Sequence, residues 1–337
     1  MKKFNTAIVG ATGAVGQEFL NLIEERNFPF GELKLLASSR SAGKKINFMG
    51  KEYTVEETTE KSFEGIDIAL FAGGAASKLF APSAVKSGAI VIDNSSNFRM
   101  DKDVPLVVPE VNSQAIFRHK GIIANPNCST IIMVMALKPL YDISKIKRIV
   151  VSTYQAVSGA GLAAMNELTD NTKVNLVGMP FDNKAFKYEI GFNVIPQIDV
   201  FTENGYTKEE MKVTNETRKI LHLDKSVPIS CTAVRVPVYR GHSEAVTIEF
   251  EKDITPDKVR ELLKDAYGVK VVDEPENYVY PTPKDCAGKD PVFVGRIRKS
   301  IAFDNAIDLF CVADNLRIGA ALNTVRLAQK VIEMGLY

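Results

Sequence analysis

The chain has 337 residues, of which 45% are hydrophobic and 25% charged, and its formal net charge is +1. This length suits two domains of ~100–200 residues each, and the balanced charge gives no sign of the basic face that nucleic-acid binding requires. The sequence contains no apolar run of the ~20 residues that span a membrane, and glycines interrupt the N-terminal apolar stretch before a signal-like core forms. We therefore expect a cytoplasmic protein that acts on a small molecule and binds neither nucleic acid nor a membrane.

Residues 1–126 alternate short apolar strands with helices. Short runs of Ile, Val, Leu and Ala between helices are typical of parallel strands that are covered on both faces. The predicted strands are FNTAIV, LKLLAS, DIALFA, AIVIDN and GIIANP, and the predicted helices cover about 14–26 and 76–86. This part of the chain is predicted to be a Rossmann-like, doubly wound dinucleotide-binding domain.

A glycine-rich loop, GATGAVG, follows the first predicted strand and opens the first helix. Its spacing lets the backbone turn tightly and approach a pyrophosphate, while the helix directs its N–H groups at the same group. An ordinary strand-to-helix turn is the alternative interpretation. The residues predicted to bind the cofactor here are Gly10, Thr12, Gly13, Ala14, Val15 and Gly16.

The end of the second strand indicates which dinucleotide binds. An NAD site carries an acidic residue there to bind the ribose hydroxyl, whereas this chain has a basic, hydroxyl-rich segment. A guanidinium and hydroxyls suit a 2′-phosphate, so NADP(H) is predicted, with an exposed basic loop as the alternative. The predicted residues are Ser38, Ser39, Arg40 and Ser41, and Gly73 in FAGGAAS is predicted to lie over the same cofactor.

The pattern changes over residues 127–314, where the strands are longer. The predicted strands are KRIVVSTYQAV, ISCTAVRVPVY, EAVTIEFE and NAIDLFCVAD, with helices near 160–172 and 255–267. An α+β domain with a large mixed, mostly antiparallel sheet is predicted. The final segment, 315–337, has apolar residues at helical spacing and is predicted to be a helix that completes the first domain.

Cys128 lies between an Asn-Pro-Asn turn and a predicted buried helix over 130–140. Unpaired N–H groups and the helix dipole favour a thiolate at such a position, so Cys128 is the predicted nucleophile. The four cysteines are widely spaced, with no C-x-x-C pair, so no structural zinc site is predicted, and disulfides are the weaker expectation in a chain of this length without a signal peptide. Cys231 and Cys311 lie in apolar strands and are interpreted as inert core residues, whereas the role of Cys286 stays open.

His242 is the predicted partner of the thiol. His119 and His222 lie in polar segments and are interpreted as surface residues, whereas His242 lies in a tight Arg-Gly-His turn between two predicted strands, from which a side chain can project into a cleft. A nucleophilic cysteine in a nicotinamide enzyme indicates acyl chemistry, because thiolate attack gives a thioester and hydride addition then gives an aldehyde.

Eight motifs, in order along almost the whole chain, carry a family resemblance: GATGAVG, SSRSAG, NSSNFR, NPNCST, YQAVSGAG, EEMK, RVPVYRGH and DNLRIGAALN. The chain closely resembles the aspartate-β-semialdehyde dehydrogenases. The resemblance implies NADPH-dependent reduction of L-aspartyl 4-phosphate to L-aspartate 4-semialdehyde and phosphate, on the route to lysine, methionine, threonine and diaminopimelate. It also implies that the second domain is catalytic and forms a homodimer, with a tetramer as the alternative.

The resemblance assigns roles residue by residue. The nucleophile falls on Cys128 and the general acid/base on His242, with Gln155 beside them to hold the acyl group. Arg235, seven residues before His242 on what reads as one strand, matches the arginine that grips the substrate α-carboxylate.

The remaining carried-over roles concern the substrate ammonium, its phosphate and the cofactor. Glu209 matches the residue that contacts the ammonium, with Glu210 as the open alternative. The residues matched to the phosphate site are Lys212, Arg99 and Asn127. Without the resemblance, these three and Glu209 would be interpreted as a solvated helix face and loop charges. Further cofactor residues are Ser158, Gly159 and Asn315.

Two other functions stay open at this point. An N-acetylglutamyl-phosphate reductase shares the two-domain plan, but its N-acetylated substrate offers Glu209 no ammonium. A non-catalytic NADP-sensing protein on the same scaffold would be marked by loss of Cys128 or His242, and both are present.

Overall fold

The structure is a computed structural model that describes residues 2–337. It divides into two compact units, of which unit 1 is the chain up to Asn127 together with Ala320–Tyr337, and unit 2 is Cys128–Gly319. The sequence placed these boundaries at 126/127 and 314/315. Among residues 2–337, no helix combines the length and apolar character that spanning a membrane requires.

Unit 1 is built on a parallel sheet. The strands of unit 1, in chain order, are β1 (Phe4–Val9), β2 (Phe30–Ala37), β3 (Lys45–Phe48), β4 (Lys51–Thr54), β5 (Glu56–Glu57), β6 (Ile68–Phe71), β7 (Ile90–Asp93) and β8 (Ile122–Ala124). All of them except β3 and β4 belong to the parallel sheet. The strand order β5-β2-β1-β6-β7-β8 reverses direction between β1 and β6, which is where doubly wound sheets bind ligands. All four residues of β6 are buried, as a strand covered on both faces requires. The predicted doubly wound architecture is confirmed.

Helices α1 (Ala14–Glu25), α2 (Ala75–Lys86) and α3 (Pro109–Asn112) complete this part of unit 1. The apolar residues of α1 recur at helical spacing, so Phe19, Leu22 and Ile23 are all buried. Strands β3 and β4 form a separate antiparallel hairpin that the sequence analysis did not predict. Their charged, mostly exposed residues carry no apolar run that would have marked them.

Unit 2 combines a second sheet with five helices among the described residues. The helices are α4 (Cys128–Tyr141), α5 (Leu162–Leu176), α6 (Lys208–Leu221), α7 (Pro256–Lys264) and α8 (Pro283–Cys286). The strands are β9 (Ile146–Gln155), β10 (Ile229–Arg235), β11 (His242–Phe250), β12 (Val269–Val271), β13 (Val292–Lys299) and β14 (Ala306–Ala313). Their order is β10-β9-β11-β14-β13-β12, with parallel pairs at both edges and antiparallel pairs between them. The predicted mixed, mostly antiparallel sheet is confirmed.

The two faces of the unit 2 sheet differ. Along β9, residues such as Val151 and Thr153 are buried, whereas Val150 and Tyr154 on the opposite face are exposed. Helix α4 packs against β11, β13 and β14 on the buried side. Its residues from Ser129 to Leu137 are all buried, so the helix that begins at Cys128 is embedded in the core of unit 2.

The prediction that one strand carries Arg235 up to a tight turn, with His242 in that turn, is wrong. Arg235 ends β10 and His242 begins β11, and these strands lie on opposite sides of β9. Pro237 between them lacks the N–H that a continuing strand would donate. The chain instead crosses the end of β9, where Val238 O accepts a hydrogen bond from Val157 N at 2.9 Å.

The last helix, α9 (Leu322–Glu333), belongs to unit 1 and follows a π-helical turn over Arg317–Ala321. Within unit 1, Asn323 Nδ2 donates to Asn125 Oδ1 at 2.6 Å, and Arg326 pairs with Glu110 at 2.8 Å. These buried polar contacts attach α9 to the β8 end and to α3.

Candidate active site

Two glycines of the glycine loop in unit 1 are required by the fold itself, and a third is not. Gly10 has a φ of +87°, and a Cβ on Gly16 would overlap the carbonyl oxygen of Gly10. Gly13 has a φ of −84°, and a Cβ there would lie 3.5 Å from the carbonyl oxygen of Gly10, which is ordinary van der Waals contact. Its lack of a side chain therefore fits the close approach of a ligand rather than a demand of the fold.

The start of α1 fits an anion. The part of the chain that the structure describes places no side-chain cap on α1 and no acidic residue in its first turn. Thr12 and the exposed Gly13 lie next to this start, and Ala14 and Val15 form it. Unpaired N–H groups and the positive end of the helix dipole favour a phosphate here.

A second loop follows β2. Ser38, Ser39 and Arg40 are exposed, and Ser41 Oγ lies 3.4 Å from Thr12 Oγ1, so the side chains of this loop reach the glycine loop. Gly73, with a φ of +114°, follows β6. The predicted cofactor residues of unit 1 thus gather at the carboxyl ends of adjacent strands, which is the ligand edge of such sheets.

The predicted phosphate-site residues Arg99 and Asn127 are buried in unit 1. Arg99 Nε donates to Asn125 O at 2.9 Å, and an Nη atom donates to Asn94 O at 2.8 Å. Backbone carbonyls at the ends of β7 and β8 therefore fix this guanidinium.

Cys128 is the first residue of α4 and is half-buried. In the described part of the chain the four cysteines form no disulfide. Burial raises the pKa of Cys231 and of Cys311, and it raises the pKa of Cys286 to about 12. The interpretation of Cys231 and Cys311 as buried core residues is confirmed, and Cys286 is a buried, un-ionised thiol as well.

His242 is fully buried at the start of β11. The backbone N–H of Ala156 donates to His242 Nδ1 at 3.0 Å, so the neutral ring carries its proton on Nε2. Burial, and then the positive charge of Arg235, hold the pKa of His242 well below its ordinary value. Of the other histidines, His222 is exposed, as predicted, whereas His119 is half-buried.

Gln155 ends β9 next to this ring. Its Oε1 accepts from Thr153 Oγ1 at 3.0 Å, and its Nε2 donates to Glu209 Oε1 at 3.2 Å and lies 3.5 Å from His242 Nε2. The buried amide therefore bridges the imidazole and the carboxylate. We call Gln155, Glu209, Arg235 and His242 the His242 cluster.

Arg235 completes the His242 cluster from the end of β10. One of its Nη atoms donates to Ala156 O at 2.7 Å. Burial lowers the pKa of Arg235, while the charges of Glu209 and Cys128 act in the opposite direction, so the arginine stays a cation beside these two groups. A Cβ on the exposed Gly159 would lie 3.1 Å from Arg235 and 3.3 Å from His242 Nε2, so the glycine keeps the approach to both side chains open.

Helix α6 distinguishes its two neighbouring glutamates. Glu210 Oε2 accepts from Thr207 N at 2.6 Å and its Oε1 accepts from Ala233 N at 2.9 Å, so this carboxylate caps the helix and fastens it to β10. Glu209 instead contacts Gln155 and, at 3.1 Å, Lys212 Nζ. Of the two, Glu209 is the one in the His242 cluster.

Lys212 has a second partner that the sequence analysis missed. Its Nζ donates to Asp199 Oδ2 at 2.9 Å. Burial by itself would lower the pKa of Lys212, but Glu209 and Asp199 together raise it. No local pattern marks Asp199, which lies outside the named helices and strands with a φ of +68°.

Ser158 and Asn315, both predicted cofactor residues, bond to each other within unit 2. Asn315 Nδ2 donates to Ser158 Oγ at 2.9 Å, and Asn315 Oδ1 accepts from Gly241 N at 2.9 Å. These buried side chains therefore support the turn that leads into His242, and their contact with a cofactor stays a prediction. Among residues 2–337, no group of three or more His, Cys, Asp or Glu residues could hold a metal ion.

Family models and known proteins agree with this architecture. Residues 5–119 match the model described as "Semialdehyde dehydrogenase, NAD binding domain", and residues 137–318 match "Semialdehyde dehydrogenase, dimerisation domain". An aspartate-semialdehyde dehydrogenase of Aquifex aeolicus is 57% identical, over 99% of both chains. The chain belongs to the aspartate-semialdehyde dehydrogenase family.

Solved structures of the family agree as well. Aspartate-semialdehyde dehydrogenase II of Vibrio cholerae, complexed with ASA, is 49% identical with a TM-score of 0.95, and the match covers 99% of both chains. The Candida albicans enzyme with NADP is 26% identical with a TM-score of 0.78 over 100% of both chains. The sequence-based prediction of the family is confirmed. The chain is an oxidoreductase with a domain that binds a nicotinamide dinucleotide. Neither alternative function is favoured.

Proposed function

We propose that the chain reduces L-aspartyl 4-phosphate to L-aspartate 4-semialdehyde and phosphate, with NADPH as reductant and a thioester on Cys128 as intermediate. This reaction precedes lysine, methionine, threonine and diaminopimelate in biosynthesis. The observation that carries the proposal is the His242 cluster, in which an imidazole, an amide, a carboxylate and a guanidinium converge within unit 2. The family relatives named for aspartate semialdehyde support the same substrate.

The charges of the cluster complement an α-amino acid. The Arg235 guanidinium suits the α-carboxylate, because its planar fork can donate two parallel hydrogen bonds. The buried Glu209 carboxylate suits the ammonium, because beside its ion pair with Lys212 it can accept a further charge-assisted hydrogen bond. An N-acetylated substrate carries no ammonium for Glu209 to bind. Lys212, Arg99 and Asn127 are proposed to bind the phosphate.

The covalent steps begin at Cys128. The thiol proton passes to His242, the sulfur bonds to the acyl carbon, and the carbon–oxygen bond to phosphate breaks, which leaves a thioester. Since the neutral ring carries its proton on Nε2, the thiol proton can bind only at Nδ1, so Ala156 N must give up its hydrogen bond to this nitrogen when the imidazolium forms. Burial and Arg235 oppose this charged state. His242 therefore returns its proton readily when the sulfur leaves.

The second half of the cycle releases the aldehyde. When bound, reduced nicotinamide would supply the hydride that adds to the acyl carbon of the thioester, which would leave a thiohemiacetal anion on Cys128. N–H groups at the start of α4 stabilise negative charge on the acyl oxygen, and Gln155 holds the acyl group in place. The carbonyl then re-forms, the carbon–sulfur bond breaks, and the proton held by His242 assists departure of the thiolate.

For the cofactor, the exposed Ser38, Ser39 and Arg40 beside Ser41 support NADP(H) over NAD(H), since this loop offers cationic and hydroxyl donors to a 2′-phosphate. The NADP complex of the Candida albicans relative supports the same preference. A homodimer formed through unit 2 is also proposed, because that part of the chain matches a dimerisation domain. A tetramer and a cytoplasmic location stay predictions from the sequence.

The covalent intermediate provides the test of the proposed function. Enzyme quenched after mixing with aspartyl phosphate, without reduced nucleotide, should gain the mass of the acyl group on the peptide that contains Cys128. Cys128→Ser should lose nearly all reductase activity, retain NADPH binding and show no such adduct. Normal turnover without any adduct would contradict the thioester route. Turnover of the N-acetylated glutamate analogue in preference to the aspartate substrate would contradict the substrate assignment.

A further inference from the structure

A buried aspartate lies behind the residues of the proposed reaction. Asp314 follows directly on Ala313, the last residue of β14, and Ala313 pairs with His242 in the antiparallel register of β14 and β11. Its side chain is completely buried. A buried carboxylate is tolerated only where ion pairs and hydrogen bonds compensate it, so its partners indicate which segments it holds.

One carboxylate oxygen faces the chain that enters β11. Asp314 Oδ2 accepts from Gly288 N at 2.6 Å and forms an ion pair with Arg240 Nε at 2.5 Å. Arg240 is two residues before His242, and the next residue, Gly241, donates its N–H to Asn315. Asp314 and its neighbour therefore fix both residues that lead into the base.

The other oxygen faces the π-helical turn over Arg317–Ala321. Asp314 Oδ1 accepts from Leu316 N at 2.9 Å and from Arg317 N at 3.1 Å. The backbone of Asp314 continues this arrangement, because its carbonyl oxygen accepts from Gly319 N at 3.2 Å. This spacing of five residues is that of a π-helix, a rare feature that occurs frequently at functional sites.

The turn brings Gly319 against the nucleophile. A Cβ on Gly319 would lie 2.9 Å from the Cβ of Cys128 and 3.4 Å from its Cα. The φ of Gly319 is not positive, so the glycine is needed here for space and not for backbone conformation. The carboxylate of Asp314 thus connects the segment that carries His242 with the segment that packs on Cys128.

We propose that Asp314 is a positioning residue that sets the geometry of Cys128 and His242 together, through the Arg240–Gly241 segment on one side and the Gly319 turn on the other. This inference rests on the proposed function of these two residues. Asp314 does not take part in proton transfer in this scheme. Its contribution is to keep the nucleophile and the base in register, and displacements of about 1 Å can cost about 100-fold in rate.

Asp314→Asn tests the proposal, because the amide keeps the size of the side chain but loses its charge and one acceptor. We expect kcat to fall about 100-fold while the KM for the substrate changes less than about threefold. The rate of Cys128 alkylation by iodoacetamide should fall with it. Alkylation requires neither substrate nor cofactor, so this readout is separate from the proposed reaction.

The matched control is Asp273→Asn. The Asp273 side chain is only 1% exposed, pairs with Arg260 Nε at 2.8 Å and accepts from Ile297 N at 3.3 Å, but it lies at the β12 end of the same unit. The Asp273→Asn variant should lose about as much stability as Asp314→Asn does. Its kcat and its alkylation rate per folded molecule should stay within about twofold of the wild-type values. If Asp314→Asn changes kinetics no more than Asp273→Asn does, Asp314 is merely structural and the inference fails.

Gly319→Ala keeps the test decisive if Asp314→Asn does not fold. Alanine is favoured over glycine in a helix, so folding should be retained, while the added methyl group must displace Cys128. We expect kcat to fall at least about tenfold, with slower alkylation of Cys128. Wild-type kcat in this variant would overturn the inference. A wild-type enzyme without aspartyl phosphate reductase activity would overturn the proposed function instead.

Discussion

Burial and the neighbouring Arg235 guanidinium both disfavour the charged form of His242, so its pKa lies well below the ordinary value of 6.5. A base must be neutral to accept a proton. A lowered pKa therefore keeps His242 competent at pH values where an ordinary imidazole is already protonated. We expect the acid limb of the kcat/KM profile to lie below pH 6.5, and a limb above that value would contradict the assignment.

Arg235→Gln should move this limb. Removal of the positive charge relieves the repulsion on the imidazolium, so the pKa of His242 rises. As the pH is lowered, the variant should therefore lose activity at a higher pH than the wild type does. The KM for the substrate should rise as well, because Arg235 is proposed to bind its carboxylate. Arg260→Gln is the control, since Arg260 pairs with Asp273 elsewhere in unit 2. An unshifted limb in Arg235→Gln would show that burial alone sets the pKa.

The basic loop after β2 leads to a separate prediction about a single residue, Arg40. A charge-assisted hydrogen bond contributes about 1.5–3 kcal/mol, so Arg40→Ala should raise the KM for NADPH about 10- to 100-fold and leave the KM for NADH nearly unchanged. Initial rates with each nucleotide measure this. Arg118→Ala, at another exposed arginine of unit 1, is the control. An equal effect on both nucleotides would argue against a 2′-phosphate contact.

At the scale of elements, helix α6 carries two neighbouring glutamates, one with a structural role and one with a proposed role in substrate binding. Glu210 accepts from Thr207 N and Ala233 N, whereas Glu209 lies in the His242 cluster. Glu210→Ala should lower the free energy of unfolding by about 1–3 kcal/mol, because it removes a cap and leaves a buried N–H unpaired, while KM stays unchanged. Glu209→Ala should instead raise the KM for the substrate about 10- to 100-fold.

Denaturant unfolding and steady-state kinetics of the two variants separate these effects. The pair is its own control, because the residues are adjacent on one helix. If Glu210→Ala raised KM and Glu209→Ala did not, the ammonium site would belong to Glu210, which was the alternative left open by the sequence.

Some elements could be predicted from the sequence because burial leaves a local signal. Strand β6, with every residue buried, reads as a continuous apolar run, and the glycine loop marks the junction of β1 and α1. The hairpin of β3 and β4 was missed, since its charged residues interrupt any such run, and β13 was missed although it begins with a buried apolar run over 292–294. These signals depend only on neighbouring residues.

Pairing between distant segments leaves no comparable signal. The sequence indicated one strand from Arg235 toward His242, but β9 lies between β10 and β11, and only the fold shows this. The contact of Asp199 with Lys212 was missed for the same reason. Cys128 and His242 could be proposed from residue type and local context, whereas the roles of Gln155, Glu209 and Arg235 came from family resemblance and stay predictions.

At the scale of the whole molecule, we expect a second copy in the proposed homodimer to cover the exposed face of the unit 2 sheet. An antiparallel sheet can leave one face in water, but that face is then usually polar. Here Val150 and Tyr154 of β9 are 39% and 40% exposed, and the Tyr154 ring lies 6.2 Å from the ring of Phe310 on β14. Residues 137–318 match a dimerisation domain, which covers this sheet.

Val150→Glu should therefore weaken the proposed dimer, because it places a charge in an interface that must exclude water. We expect sedimentation velocity to show a dimer for the wild type and mostly monomer for the variant, with activity that falls on dilution. Val279→Glu is the matched control, since Val279 is 40% exposed in unit 2 but lies outside the named strands. A dimer of wild-type strength in Val150→Glu would mean that the copies associate through another surface, and the apolar face of the sheet would then need a different explanation.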